Sequence, residues 1–117
     1  MPGKIFESIS PQPASSSYNH EPSSDTAAVV TLAAAGAGKR HAIASVAWSY
    51  DDDPTGGSLT ITDGGTAVFK VDITSKGPGF FNFFPPLLFS ANSAVVATLA
   101  AGGSGISGIV NVNTWVM

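Results

Sequence analysis

The stretch Ser58–Thr74, SLTITDGGTAVFKVDIT, decides how this chain folds. Ser58–Thr62 alternates, with Leu59 and Ile61 on one side. Thr66–Thr74 alternates as well, with Ala67, Phe69, Val71 and Ile73 assigned inward and Lys70 and Asp72 outward. Successive side chains of a strand point to opposite faces, so a period of two reads as a half-buried strand. Between the two runs stands Asp63-Gly64-Gly65. Asp-Gly provides the positive φ that the tight turns of β-hairpins require. The segment therefore predicts an antiparallel hairpin.

Working outward, strand signals recur every 8–14 residues with Gly, Pro or Asp between them. Thr26–Ala35 reads as a first strand turned by Gly36–Lys39 into Arg40–Asp51. The second strand's even positions, Ala42, Ala44, Val46, Trp48 and Tyr50, form an apolar face opposite His41, Ser45 and Ser49. Beyond the central hairpin, Phe80–Phe84 forms a strand ended by Pro85-Pro86. Ala94–Ala101 and Ile106–Met117 form a last hairpin around Gly102–Gly105. Val29–Ala34 and Val95–Ala101 resemble each other, and the two hairpins they open are expected on facing sheets. No stretch shows a capped helical period. Short strands at such spacing predict an all-β antiparallel sandwich, jelly-roll or Ig-like, of about seven strands over residues 27–117.

Residues 1–26 differ in kind. Pro2, Pro11, Pro13 and Pro22 and the run Ser15–Ser17 leave no periodic pattern. Proline fixes φ and removes a donor, so neither a helix nor a central strand is expected there. Ile5, Phe6, Ile9 and Tyr18 are scattered apolar anchors. They suit an extended arm that lies along another subunit, whereas a solvating tail would not need them.

Composition narrows the function. The 117 residues suffice for one domain, and without Cys there are neither disulfides nor thiolate metal sites. The net charge is -3 and no basic run occurs, which argues against nucleic acid as a partner. Met1–Ser10 lacks the apolar core of a signal peptide, and Ala94–Val110 is broken by glycines, so no membrane span is read. The expectation is a soluble protein made in a host cytoplasm. Charged residues amount to 11%, against about 25% in ordinary soluble domains. Charged residues are depleted from interface cores, so much of this surface is expected to face neighbours.

Motif matches carry little chemistry. Gly103, Gly105 and Gly108 fit G-x-G-x-x-G, but a strand follows where a dinucleotide site needs a helix. Gly38-Lys39 lacks the other residues of a phosphate loop, since Ala33 and Arg40 occupy their places. Asp51–Asp53 sets three carboxylates in one loop, as a hard cation would want, without the spacing of an EF-hand; it also suits an exposed turn before Pro54. His20 and His41 have no obvious partners, and Asp63 and Asp72 read as surface positions. The expectation is no catalysis, cofactor or metal. Phe80–Phe89, FFNFFPPLLF, is the richest segment: one alternate set, Phe81 and Phe83, turns inward and the other outward. Exposed aromatic clusters mark interfaces.

The run SYDDDPTGGSLTITDGGTAVFKVDITSKGPGFFNFFPPL, followed by SANSAVVATLAAGGSGISGIVNV, resembles small structural proteins of tailed bacteriophages over residues 42–112 or so. The resemblance implies a virion location, as a capsid decoration or cement subunit that bridges major capsid proteins, and carries no catalytic residues. A homo-oligomer, trimer or dimer, fits such a role. The expected contacts are Ile5, Phe6, Ile9 and Tyr18 from the arm and Phe80, Phe84 and Phe89 from the body. Two alternatives share the fold: a tail- or fibre-associated subunit, and a carbohydrate-binding module in which Trp48, Tyr50, Trp115 and the Asp51–Asp53 loop form a stacking site beside a calcium ion.

Overall fold

The computed structural model describes residues 16–117, so Ile5, Phe6 and Ile9 lie outside the described residues. Eight strands are present: β1 (Ser16–His20), β2 (Ala28–Leu32), β3 (His41–Tyr50), β4 (Gly57–Asp63), β5 (Thr66–Ile73), β6 (Gly79–Leu88), β7 (Val95–Leu99) and β8 (Gly108–Val116). No helix occurs among the described residues, and no helix is long and apolar enough to cross a membrane. The strands form two antiparallel sheets of four, in the orders β1-β8-β3-β6 and β2-β7-β4-β5. Of the two sandwich types expected, this is the jelly roll.

The central hairpin organises the whole chain. Asp63 pairs with Thr66, leaving Gly64 and Gly65 as a two-residue loop with φ of 57° and 90°. Both angles are positive, as a type I′ turn requires. From that turn the chain runs back along itself in antiparallel pairs, β4 with β5, β3 with β6, β2 with β7 and β1 with β8. It thus behaves as one long hairpin wrapped into a sandwich. The similar segments Val29–Ala34 and Val95–Ala101 consequently do not open hairpins on facing sheets. Val30 lies opposite Ala97 within one sheet, and each segment's apolar alternation serves the same inner face.

Neither outer hairpin expected from sequence forms. β2 and β3 belong to different sheets, as do β7 and β8, so the Gly-rich segments after Leu32 and Leu99 are crossovers. Turn chemistry specifies that a chain reverses and does not specify which sheet receives it. The additional strand, β1, lies within the Pro/Ser-rich segment. It sits at a sheet edge, where a single ladder, with β8, is all it needs, and all five residues are exposed.

Two bulges overturn parts of the inward–outward assignment. Ile43 pairs with Thr114 and Ser45 with Asn113, so Ala44 is an extra residue and the faces of β3 exchange there. His41 and Ile43 point inward before it, while Val46, Trp48 and Tyr50 do so after it. In β5, Ile61 faces Phe69 but Thr62 faces Ala67, so Val68 is the extra residue and Ala67 lies outward. One inserted residue reverses every side chain beyond it. The core between the sheets joins Ile43, Val46, Leu59, Ile61, Leu99, Val110 and Val112 with Phe89.

Candidate interaction surface

The sheet β1-β8-β3-β6 contains no Asp, Glu, Lys or Arg in any of its strands. Its inner face is core, so its outer face is a neutral field. Down the middle, β8 presents Ile109, Asn111, Asn113 and Trp115 against Ala42, Ser45, Ala47 and Ser49 of β3. The charges of the body lie elsewhere, in the loops (Lys39, Arg40, Asp51–Asp53, Lys76) and on β4–β5 of the other sheet (Asp63, Lys70, Asp72).

The β6 edge of this field is aromatic. Phe80 is 63% exposed, Phe84 95% and Leu88 51%. The cause is local. Ile43 pairs with Leu87 and Ser45 with Asn82, so Phe83-Phe84-Pro85-Pro86 loops away from β3. The strand passes through Pro85-Pro86, where the sequence pattern predicts its end. An edge strand tolerates proline because one side of it needs no donors. Phe83 packs against the core, whereas Phe81, opposite the inward Val46, remains 37% exposed at the edge. Phe81 stacks on Trp48 with ring centroids 5.7 Å apart, and Phe69 of β5 meets Phe81 and Phe83 edge-on at 5.1 and 5.2 Å.

Of the expected contact residues, Phe80 and Phe84 are both exposed on β6. Phe89 is not available: it is 2% exposed and belongs to the core, because its amide donates to the His41 carbonyl at 3.1 Å and draws the chain back over the sandwich. Tyr18 is half-exposed at the far edge, where it lines a cleft of about 200 Å³ with Ser16, Leu32, His41 and Thr114. The neutral β8–β3 face was missed by sequence reading because it arises from strands distant in the chain. The absence of charge from those segments was its visible signal.

The stacking site imagined from Trp48, Tyr50 and Trp115 does not assemble. Tyr50 is buried, and its hydroxyl donates to the Ala100 carbonyl at 2.6 Å. Burial pushes its phenol above the ordinary range, so it remains a donor. Gly57, Gly102 and Gly108 surround the ring; a Cβ at Gly108 would lie 3.0 Å from Tyr50 Cε1. Trp48 faces the core and pairs with Val110, whereas Trp115 lies outward opposite Ala42, at the other end of β3.

The acidic residues hold loops. The Asp51 carboxylate accepts the Ser107 amide at 2.9 Å, Asp53 accepts the Lys76 amide at 3.0 Å, and Asp52 accepts the Asp53 amide at 2.8 Å. Three carboxylates serving three separate amides do not converge on a cation, and no cluster of three potential ligands occurs among the described residues. Asp63 accepts Ser93 Oγ at 2.6 Å and both the amide and the Oγ of Ser90 at 2.9 Å. Those donors, Ser93 foremost, hold its carboxyl below the ordinary range. The imidazoles are structural too. His41 Nε2 lies 2.6 Å from the Ala33 carbonyl, and His20 Nδ1 accepts the Val29 amide at 2.9 Å, tying the edges of the two sheets together.

Comparison with known proteins places the fold. No protein-family model matches the chain, and no curated protein matches it. Among solved structures, a subunit of the disulfide-linked pili of Bacillus endospore appendages is similar at a TM-score of 0.50 and 14% identity, over 89% of this chain and 86% of that one. The CBM36-1 domain of a multidomain xylanase from the hindgut metagenome of Trinervitermes trinervoides is similar at 0.47 and 10%, over 82% and 74%. A carbohydrate-binding module CBM36 solved with calcium and xylotriose is similar at 0.42 and 14%, over 91% and 90%. None of these is a phage decoration protein. At such identities the likeness is one of fold, a β-sandwich.

Proposed function

We propose that this chain is a non-catalytic recognition domain that works by covering, with another protein, the neutral outer face of β1-β8-β3-β6 and its aromatic rim. The observation that carries this reading is Phe84, 95% exposed on a segment looped out of its sheet and flanked by exposed Phe80 and Leu88. Phenylalanine has no polar tip to satisfy water. Large exposed rings without charge are the usual anchors of protein interfaces. The finer assignment is a structural subunit of a tailed-phage particle, either a decoration subunit on the major capsid protein or a tail- or fibre-associated one. It is supported by the sequence resemblance over residues 42–112 and by a charge-poor sheet face able to lie flat on a neighbour.

A second reading is supported by the polar part of the same face. Trp115 with Asn111, Asn113 and Ser45 offers one ring and several amide and hydroxyl groups, a chemistry suited to a carbohydrate. The jelly roll itself serves both capsid and lectin domains, so the fold leaves the choice to the site.

One experiment separates them. Quantitative mass spectrometry of particles of the phage encoding the chain should find it in hundreds of copies if it decorates heads, or a few to dozens if it belongs to the tail. F84S should lose particle binding and keep its fold. Absence from particles together with glycan-array binding abolished by W115A would replace the assembly reading with the carbohydrate one.

A further inference from the structure

We infer that the outer edge of Gly79–Asn82 pairs with the same segment of a second copy, joining two β1-β8-β3-β6 sheets across a twofold axis. This goes beyond the reading above and stands on a different observation, the unpaired backbone of β6. That strand is hydrogen-bonded to β3 alone, and among the described residues no second strand pairs with its other side. Edge strands that must stay single are protected by Lys, by proline or by bulges. The adjacent edge strand of the other sheet, β5, carries Lys70 and Asp72. β6 carries no charge at all, and its prolines and its loop protect only one half, from Phe83 to Pro86. Gly79–Asn82 remains a regular, open ladder.

The occupant follows from self-complementarity. Each copy carries a net charge of -3, so two copies meet most readily on a neutral strand. An antiparallel edge can pair with itself, as a closed twofold contact requires. Centred on Phe81, such pairing sets Phe81 against its own counterpart and Phe80 against Asn82, while the missing side chain of Gly79 makes room for the chain's own Trp48 ring. Cross-strand aromatic pairs are among those that stabilise sheets. Pro85 and Pro86 have no amide hydrogen to donate, so the paired segment ends before them and the register is limited to a few residues. Phe84, beyond that end, stays available for other contacts.

Sedimentation equilibrium of the isolated full chain tests this without any particle, so its failure and the failure of the assembly reading are distinguishable. The expected result is a reversible dimer, weakened by about tenfold or more in F80K and unchanged in F84K. Because the chain has no Cys, single cysteines report position: F81C should cross-link under mild oxidation and N111C, on the sheet face, should not. A monomer at every concentration would overturn the inference. So would a dimer unaffected by F80K, or one that cross-links through position 111, since it would use another surface. If F81C does not fold, F80K and N111C decide the question.

Discussion

At the scale of single residues, the polar side chains of this protein hold its loops in place. Asp63 is the clearest case, with three hydrogen bonds from Ser90 and Ser93 and a lowered pKa. A carboxyl depressed in the folded state adds stability above its unfolded pKa and loses it as pH falls through the folded value. D63N should therefore cost about 1 kcal/mol at neutral pH, a modest figure because the site is solvent-screened. Thermal denaturation of both proteins should show the difference shrinking as acid protonates the wild-type Asp63. The glycines around Tyr50 matter for the opposite reason, absence of bulk. G108A brings a methyl within 3.0 Å of the buried ring and 2.9 Å of Leu99 Cδ2, and should destabilise by about 1–3 kcal/mol in urea unfolding. The sequence marked Tyr50 as apolar and aromatic. Its confinement depends on Gly57, Gly102 and Gly108, which no local pattern links to it.

At the scale of elements, β1 and β6 occupy the two edges of one sheet and behave differently. β1 is exposed along its length, with Tyr18 half-exposed, yet it supplies five pairs to β8, and the His20–Val29 bond joins its edge to β2. Removing residues 1–20 should lower the melting temperature by several degrees more than removing 1–15 does, about 4–8 °C for each kcal/mol lost. Calorimetry on the two truncations checks this. A truncation meant to isolate the contribution of the arm must accordingly stop before Ser16. For β6, the sequence showed the alternation of Phe81 and Phe83 against Phe80 and Phe84. It did not show that the strand continues through two prolines, because that depends on having a partner on one side only.

At the scale of the molecule, charge is segregated: one sheet has none in its strands, and the loops and the β4–β5 hairpin hold what the body has. Contacts made through the neutral face should be nearly independent of ionic strength, since there is little to screen. Raising salt from about 0.05 M to 0.5 M should change particle binding by less than about threefold in co-sedimentation, whereas a charge-driven contact would weaken far more. The same segregation orients the subunit, because the neutral sheet is the side from which the least water must be stripped from ions.

By itself the sequence determined the all-β class, the central turn at Gly64-Gly65 and the alternating strands on either side of it. Those features are local: a period of two and a positive φ are properties of neighbours in the chain. It also announced a protein short of charge, with its phenylalanines concentrated in Phe80–Phe89. Only the tertiary structure decided which strands share a sheet, that bulges at Ala44 and Val68 exchange inward and outward faces, that Phe89 and Tyr50 are interior, and that β8 and β3 assemble a neutral face. The reason is that sheets are built from pairings between residues far apart in sequence, and one extra residue on one strand reverses the facing of all that follow.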